Sequence, residues 1–210
     1  MTEDWLDRWK NGRTGWHEAN GNAGLKCHWP PNDCGNRVLV PLCGKTSDLL
    51  WLAERGHEVV GVELAEIAIR EFFSDNNLAF QISHGDHLDR YRADDLPISI
   101  YCGDYFHFVS TPFDALYDRG ALVALPPSMR PKYVAQTKQL LRRDAFRLII
   151  TLEYDQSIVQ GPPFAVLPAE IVTYWDDLQR VDETDDIDTC PPKFRAAGLT
   201  AIQEVVWLSS

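Results

Sequence analysis

Residues 37–63, RVLVPLCGKTSDLLWLAERGHEVVGVE, constrain the fold more than any other stretch. Val38, Leu39 and Val40 form a short apolar run of the kind a buried parallel strand shows. Pro41-Leu42-Cys43-Gly44 ends it, because proline removes a backbone donor and glycine permits a sharp turn. A helix is expected from about Lys45 to Arg55, with Leu49, Leu52 and Ala53 on one face. Gly56 lies just past its end, where a left-handed cap is common. Val59, Val60, Gly61 and Val62 make a second strand, and Glu63 stands at its carboxyl end. Strand, turn, helix and strand in this order is a βαβ unit, which implies an α/β fold with a parallel sheet.

In open α/β sheets ligands lie beyond the carboxyl ends of the strands, and an acidic residue roughly 20 residues past the first turn can bond two ribose hydroxyls. Glu63 is placed for that task, and a carboxylate suits it because it only accepts hydrogen bonds. The plainer alternative is an ordinary βαβ unit with a solvated Glu at a strand end. The turn is not GxGxxG and carries a single glycine, Gly44. A pyrophosphate needs close backbone approach at a helix N-terminus. A nucleoside joined to a zwitterionic amino acid, as in S-adenosylmethionine, does not, so the turn leans towards a methyltransferase.

A chain of 210 residues fits one domain with a sizeable core, here an N-terminal arm over 1–24 and an α/β core over 37–210. The net charge is −11, and no Lys/Arg cluster is longer than Arg142-Arg143. That excludes the basic footprint of a nucleic-acid binder and gives no hold on an anionic membrane. No run approaches the roughly 20 apolar residues of a membrane span, and the acidic start is no signal peptide, so a cytoplasmic monomer is expected. The five cysteines are irregularly spaced, which fits a reduced compartment. Cys27-His28 with Cys34 lacks a fourth zinc ligand and has the wrong spacing, and no metal is expected. Cys43, at the key turn, is either a nucleophile or a small residue packed under a ligand.

Residues 3–10 have the pattern of a short helix with Trp5 and Trp9 on one face, followed by Trp16 and His17. The arm either docks on the core or forms a lid whose rings meet a flat or cationic ligand. Residues 25–36 read as irregular, and 64–74 as a helix. The stretch 79–97, with His84, Asp86, His87 and Asp89, is a metal-like string or, more simply, a solvated loop or hairpin insertion. Strands are expected at 98–102, 113–117 and 146–152, helices at about 128–141 and 168–178, and a terminal antiparallel pair at 178–182 and 201–208. Asp104 and Tyr105 follow one strand end, where an adenine would sit. Asp118 and Arg119 close another; the Arg fork fits a carboxylate, or the two charges brace the turn. Gly161-Pro162-Pro163-Phe164 either walls a pocket or shapes a turn.

WLDRWKNGRTGWHE at the start, PLCGKTSDLLWLAERGHEVVGVE, the EFF of 71–73, YDRGALVAL at 117–125 and GPPF at 161–164 together resemble the thiopurine S-methyltransferases over nearly the whole chain. The resemblance implies a Rossmann-like class I S-adenosylmethionine-dependent methyltransferase, with a seven-stranded, mostly parallel sheet, helices on both faces and a terminal antiparallel strand. It implies cofactor contacts at Trp9, Leu42, Glu63 and Arg119, with Trp5, Trp16, Asp104 and Tyr105 beside them. Trp16, Pro162, Pro163 and Phe164 become substrate-pocket candidates, and Asp118 and Arg119 substrate-orienting ones. Trp16 stands where the family usually has a phenylalanine. The implied reaction is in-line methyl transfer to the sulfur of thiopurines or other aromatic thiols, leaving S-adenosylhomocysteine, with no essential protein base. The rivals are selenium, tellurium, halide or thiocyanate acceptors, or a non-catalytic nucleotide-binding protein on the same scaffold.

Overall fold

The computed structural model describes residues 2–12, 18, 20–30 and 36–209. In chain order the elements are α1 (Thr2–Lys10), α2 (Ala23–His28), β1 (Arg37–Pro41), α3 (Asp48–Glu54), β2 (Glu58–Glu63), α4 (Glu66–Asp75), β3 (Phe80–Ser83), β4 (Asp89–Ala93) and β5 (Ile98–Cys102). They continue with β6 (Phe113–Asp118), α5 (Arg130–Leu140), β7 (Leu141–Glu153), α6 (Pro168–Tyr174), β8 (Leu178–Asp185), α7 (Pro192–Ala196) and β9 (Gln203–Ser209).

Among the described residues the strands form one sheet in the order β3-β4-β5-β2-β1-β6-β7-β9-β8. From β5 to β7 all neighbours are parallel. The outer pairs are antiparallel. The expected seven strands are therefore present as β5 to β8 of that order, and the sheet is larger than expected by a hairpin. That hairpin, β3–β4, comes from the 79–97 stretch and is laid on the β5 edge. Phe80 and Ile82 pair with Ala93 and Tyr91, and the Tyr91 hydroxyl donates to Glu66 on α4 at 2.6 Å.

Alternation along the central strands feeds two cores. Leu39, Val60 and Leu116 join the layer of Tyr133, Val134 and Phe194. Val38, Val40 and Val59 join that of Leu25, Leu49, Leu52 and Phe72. The chain runs outward from β1 to β2 and β5, then returns to β6 on the other side of β1. The strand order thus reverses between β1 and β6, the place where such sheets open a ligand crevice.

Several boundaries differ from expectation for physical reasons. The helix expected from Lys45 begins at Asp48, because the Asp48 carboxylate is drawn inside to accept from the Asn22 amide (2.7 Å), the Tyr117 hydroxyl (2.7 Å) and the Thr46 hydroxyl (2.9 Å). The residues before it are spent on the turn. Residues 25–36 were expected to be irregular, yet α2 starts at Ala23, with Asn22 accepting from the Leu25 amide at 3.0 Å and Leu25 fully buried. The helix expected over 168–178 stops at Tyr174, and α7, started by Pro192, had no counterpart in the sequence reading.

Candidate functional site

The first turn leaves β1 through two left-handed residues, Leu42 at φ 47° and Gly44 at φ 55°. The Cys43 amide donates to the Val62 carbonyl at 3.1 Å, which ties the turn to β2. Gly44 is needed twice over, since a Cβ there would also sit 3.1 Å from the Trp9 indole. Cys43 itself is buried, and its sulfur is where a Cβ on Gly61 would come within 2.7 Å. Burial, with Glu63 nearby, pushes its thiol well above the ordinary range, so it is a packed thiol and not a nucleophile.

Glu63 closes β2 as expected. Its Oε2 accepts from the Gly44 amide and its Oε1 from the Ala65 amide, each at 2.8 Å. Burial raises its pKa, while the bonds from Ala65, Gly44 and Leu64 pull it back down. A carboxylate has about four acceptor positions. The Gly44, Ala65 and Leu64 amides take up to three of them, and the remainder is left for a hydroxyl arriving from the cleft.

Two hollows meet over Leu42, sharing Trp5, Leu42 and Leu64 on their walls. The first has Trp5 and Trp9 from α1 on one side, and Glu63 and Gly44 below. Arg119, Val123 and Ala124 enter it from beyond β6, Ile150 and Leu152 from β7, and Glu204 from β9. The second lies past the end of β5 and is walled by Asp104, Tyr105, Phe106, Met129 and Tyr133. Together they make one trough along the carboxyl ends of β5, β2, β1 and β6. Helix α1, which also packs on α4, covers it.

Most of the sequence candidates come together in this trough: Trp5, Trp9, Leu42, Glu63 and Arg119 on the first hollow, Asp104 and Tyr105 on the second, and Pro163 at the far wall. Trp16 lies outside the described residues. Asp104 also caps the short 3-10 turn after it by accepting from the Phe106 amide at 3.0 Å. Tyr105 offers its ring, while its hydroxyl is turned inward to Thr137 Oγ1 at 2.9 Å.

Three candidates stand elsewhere. The resemblance pairs Asp118 with Arg119 as substrate-orienting, but the Asp118 side chain is 1 % exposed and is absent from both walls. Its Oδ1 accepts from the amides of Ala121 and Leu122 at 3.0 and 3.2 Å, and its Oδ2 from the Tyr133 hydroxyl at 2.6 Å. Consecutive residues at a strand end turn to opposite sides, so with Arg119 in the cleft Asp118 belongs to the core. Pro162 and Phe164 are likewise off the wall. The Phe164 ring folds over Gly161, where a Cβ would meet it at 2.4 Å. Its amide donates to the Val123 carbonyl at 2.6 Å, and the Pro162 carbonyl accepts from Lys193 at 2.6 Å.

The sequence reading missed the acids around Arg119. Its guanidinium pairs closely with Glu18 and lies 3.9 Å from Glu204. Glu204 is held by the Asn22 side-chain amide at 2.8 Å. Burial raises the pKa of both acids, and Arg119 counters it in each case. Glu18 closes the WLDRWKNGRTGWHE stretch, but nothing in that stretch ties it to Arg119; Glu204 is one residue of a terminal strand with nothing in its neighbours to mark it. Among the described residues no group of three or more His, Cys, Asp and Glu is arranged to hold a metal ion. The 84–89 string instead closes the β3–β4 hairpin, with His84 on Asp89 at 3.1 Å.

The Asp118 carboxyl is pushed up to about 6 by burial, against the bonds from Tyr133, Leu122 and Ala121. Its folded value lies above the unfolded one, near 3.9. The stability it contributes is therefore full below about pH 4 and lost as pH rises through about 6. Asp118→Asn has no proton to lose. Relative to the wild type it should gain up to ~3 kcal/mol between pH 4 and pH 7 in urea unfolding. A difference between the two proteins that stays constant over that range contradicts the assignment.

A sequence profile of the thiopurine S-methyltransferase (TPMT) family matches residues 1–210. Thiopurine S-methyltransferase of Pseudomonas fluorescens (strain Pf0-1) is 42% identical over 213 residues, covering 98% of this chain and 96% of that protein. The Bordetella petrii protein of the same name is 41% identical, with the same coverage of 98% and 96%. Among solved structures, the Burkholderia thailandensis 1,6-didemethyltoxoflavin-N1-methyltransferase with bound S-adenosylhomocysteine superposes with a TM-score of 0.62 at 19% identity, covering 100% of this chain and 87% of that one. At that identity the likeness concerns the fold.

Proposed function

Since the chain belongs to the thiopurine S-methyltransferase family, we propose that its trough holds S-adenosylmethionine with the nucleoside end over the second hollow and the reacting end over the first. The protein is an S-adenosylmethionine-dependent methyltransferase acting on thiol-type acceptors. The observation that carries the placement is Glu63, fixed by backbone amides at the end of β2 with an acceptor position left for a ribose hydroxyl. When bound, the cofactor supplies an electrophilic methyl group on a sulfonium.

The residues present fit that group. The rings of Trp5 and Trp9 give faces that attract a cation. Arg119 supplies a fork for a carboxylate, and its neighbours Glu18 and Glu204 orient it. Asp104 and Tyr105 border the second hollow, where the base would lie. The apolar wall of Val123, Ala124, Ile150, Leu152 and Pro163 suits an aromatic or heterocyclic thiol.

Trp5, Trp9, Glu63 and Arg119 would hold the cofactor so that its methyl group could pass to the acceptor sulfur, with S-adenosylhomocysteine as the leaving product. Thiolate is the nucleophilic form, and aromatic thiols ionise readily, so no side chain is assigned as an essential base. The chain's own work is alignment and exclusion of water by α1. Trp9→Ala should weaken S-adenosylmethionine binding by ~1–2 kcal/mol with a smaller effect on the chemical step. Calorimetry giving an unchanged Kd would remove the lid from this account.

The acceptor is tested with a panel of 6-mercaptopurine, thiophenol, selenite, tellurite, iodide and thiocyanate. Turnover concentrated in the two thiols supports the reading. Turnover concentrated in the inorganic acceptors overturns the thiopurine-type assignment. No described helix is long and apolar enough to cross a membrane, and Cys27, Cys43, Cys102 and Cys190 are free thiols.

A further inference from the structure

Behind the second hollow lies a buried polar chain that the reaction does not use. Asp118 Oδ2 accepts from the Tyr133 hydroxyl at 2.6 Å. The Tyr133 ring packs against Tyr105 with 5.4 Å between centroids. The Tyr105 hydroxyl meets Thr137 Oγ1 at 2.9 Å, and that hydroxyl lies 2.9 Å from the Tyr133 carbonyl. Asp118, Tyr105, Tyr133 and Thr137 are each at most 5 % exposed. Tyr105 and Tyr133 nevertheless form part of the wall of the hollow. The other oxygen of Asp118 fixes the Ala121 and Leu122 amides, at the head of the segment whose Val123 and Ala124 wall the first hollow.

We propose that Asp118 is a positioning residue for the cofactor's nucleoside end: through the Tyr133 hydroxyl it fixes the two tyrosine rings that wall the second hollow. This rests on the reading that the second hollow takes that end. The mechanism is geometric. A tyrosine ring inserted from α5 can slide and rotate against its neighbour unless its tip is pinned. A carboxylate buried under the strand end pins it with a charge-assisted bond, stronger than a neutral one. Protonation of the carboxyl weakens the pin, because the group then offers a donor of its own to the same hydroxyl. Burial places that protonation near pH 6. The titratable groups facing Asp118 are Tyr133 from α5 and, behind it, Tyr105. Arg119 follows it in the chain and turns into the cleft.

The test is calorimetric titration with S-adenosylhomocysteine from pH 5 to pH 8, on the wild type, Tyr133→Phe and Asp118→Asn, with melting temperatures on the same samples. Tyr133→Phe keeps the ring and loses the pin, so its Kd should rise about fivefold at pH 7.5, the worth of one hydrogen bond. Asp118→Asn keeps an acceptor for the two amides but presents an NH2 group to Tyr133. It should bind more weakly than the wild type at pH 7.5, and the two should converge at pH 5. The part of the wild-type profile that bends near pH 6 should vanish in it. Glu63 also titrates in the site, but its contribution is common to both proteins and drops out of the comparison. Lowered melting temperatures with Kd values within twofold of wild type would make the chain purely structural and overturn the proposal. So would superimposable pH profiles of wild type and Asp118→Asn. Absence of binding by the wild type would overturn the functional reading, and this proposal with it.

Discussion

Arg130→Met is expected to destabilise the protein by about 3–5 kcal/mol, the usual effect of breaking a buried ion pair from one side. Arg130 is completely buried at the start of α5. Its Nε donates to the Leu125 carbonyl at 3.0 Å, one terminal nitrogen to Glu170 at 2.6 Å, and the other to the Ala165 carbonyl at 3.0 Å. One side chain thus joins three segments: the stretch after β6, the loop after β7, and α6. Methionine fills most of the volume but leaves two buried carbonyls and one carboxylate without that donor. Glu170 retains partial access to solvent, which holds its share of the loss to the lower end. At ~2–4 °C per kcal/mol for a chain of this size, the melting temperature should fall by roughly 6–20 °C. A loss below ~1 kcal/mol would show that the three segments are held by apolar packing alone. The same pin holds Pro163, through Ala165, against the far wall of the trough, so acceptor KM should rise as well.

Glu63→Gln should raise the Kd for S-adenosylhomocysteine at least roughly tenfold, since each hydrogen bond to a charged group is worth ~1.5–3 kcal/mol. The substitution keeps the shape. It replaces one acceptor oxygen with an NH2 group facing a backbone amide of Gly44 or Ala65, each of which donates to the wild-type carboxylate at 2.8 Å. The amide side chain therefore cannot accept from both backbone amides and still present an acceptor to the ribose. The turn carrying Gly44 also supports Trp9, so floor and lid should loosen together. Calorimetry giving a Kd within twofold of wild type would contradict the assignment of Glu63.

Much of this was legible in the sequence because it is carried by local pattern. Val38 to Val40 and Val59 to Val62 are apolar on both sides because both faces of a central parallel strand are covered, and Glu63 falls where that run stops. What was not legible depends on partners distant in the chain. The first turn of α3 is displaced because Asp48 is buried by Asn22, Tyr117 and Thr46, and nothing near Asp48 announces it. The β3–β4 hairpin lies at a sheet edge, where half of its residues face water, so its alternation is thin beside its charges. Six-residue α2 is held by one cap and one buried leucine, too little for a periodic signal.

The candidate site followed the same rule. Trp5 and Trp9 share a helix face, and that face meets the cleft. Asp118 and Arg119 are neighbours with opposite charges, and their types alone could not say which one entered the trough. Alternation at the end of β6 decides it, and it sends Asp118 to Tyr133. Glu18 and Glu204 reach Arg119 from segments 101 residues before and 85 residues after it in the chain, a distance over which no local pattern speaks.

The most direct test of the central claim is transfer of an isotopically labelled methyl group from S-adenosylmethionine to 6-mercaptopurine by the purified protein, followed by mass spectrometry of the product. S-adenosylhomocysteine titration is run on the same sample. The account predicts one cofactor bound per chain and the label on the purine sulfur. Failure to bind S-adenosylhomocysteine, or binding with no label on any thiol, would contradict it.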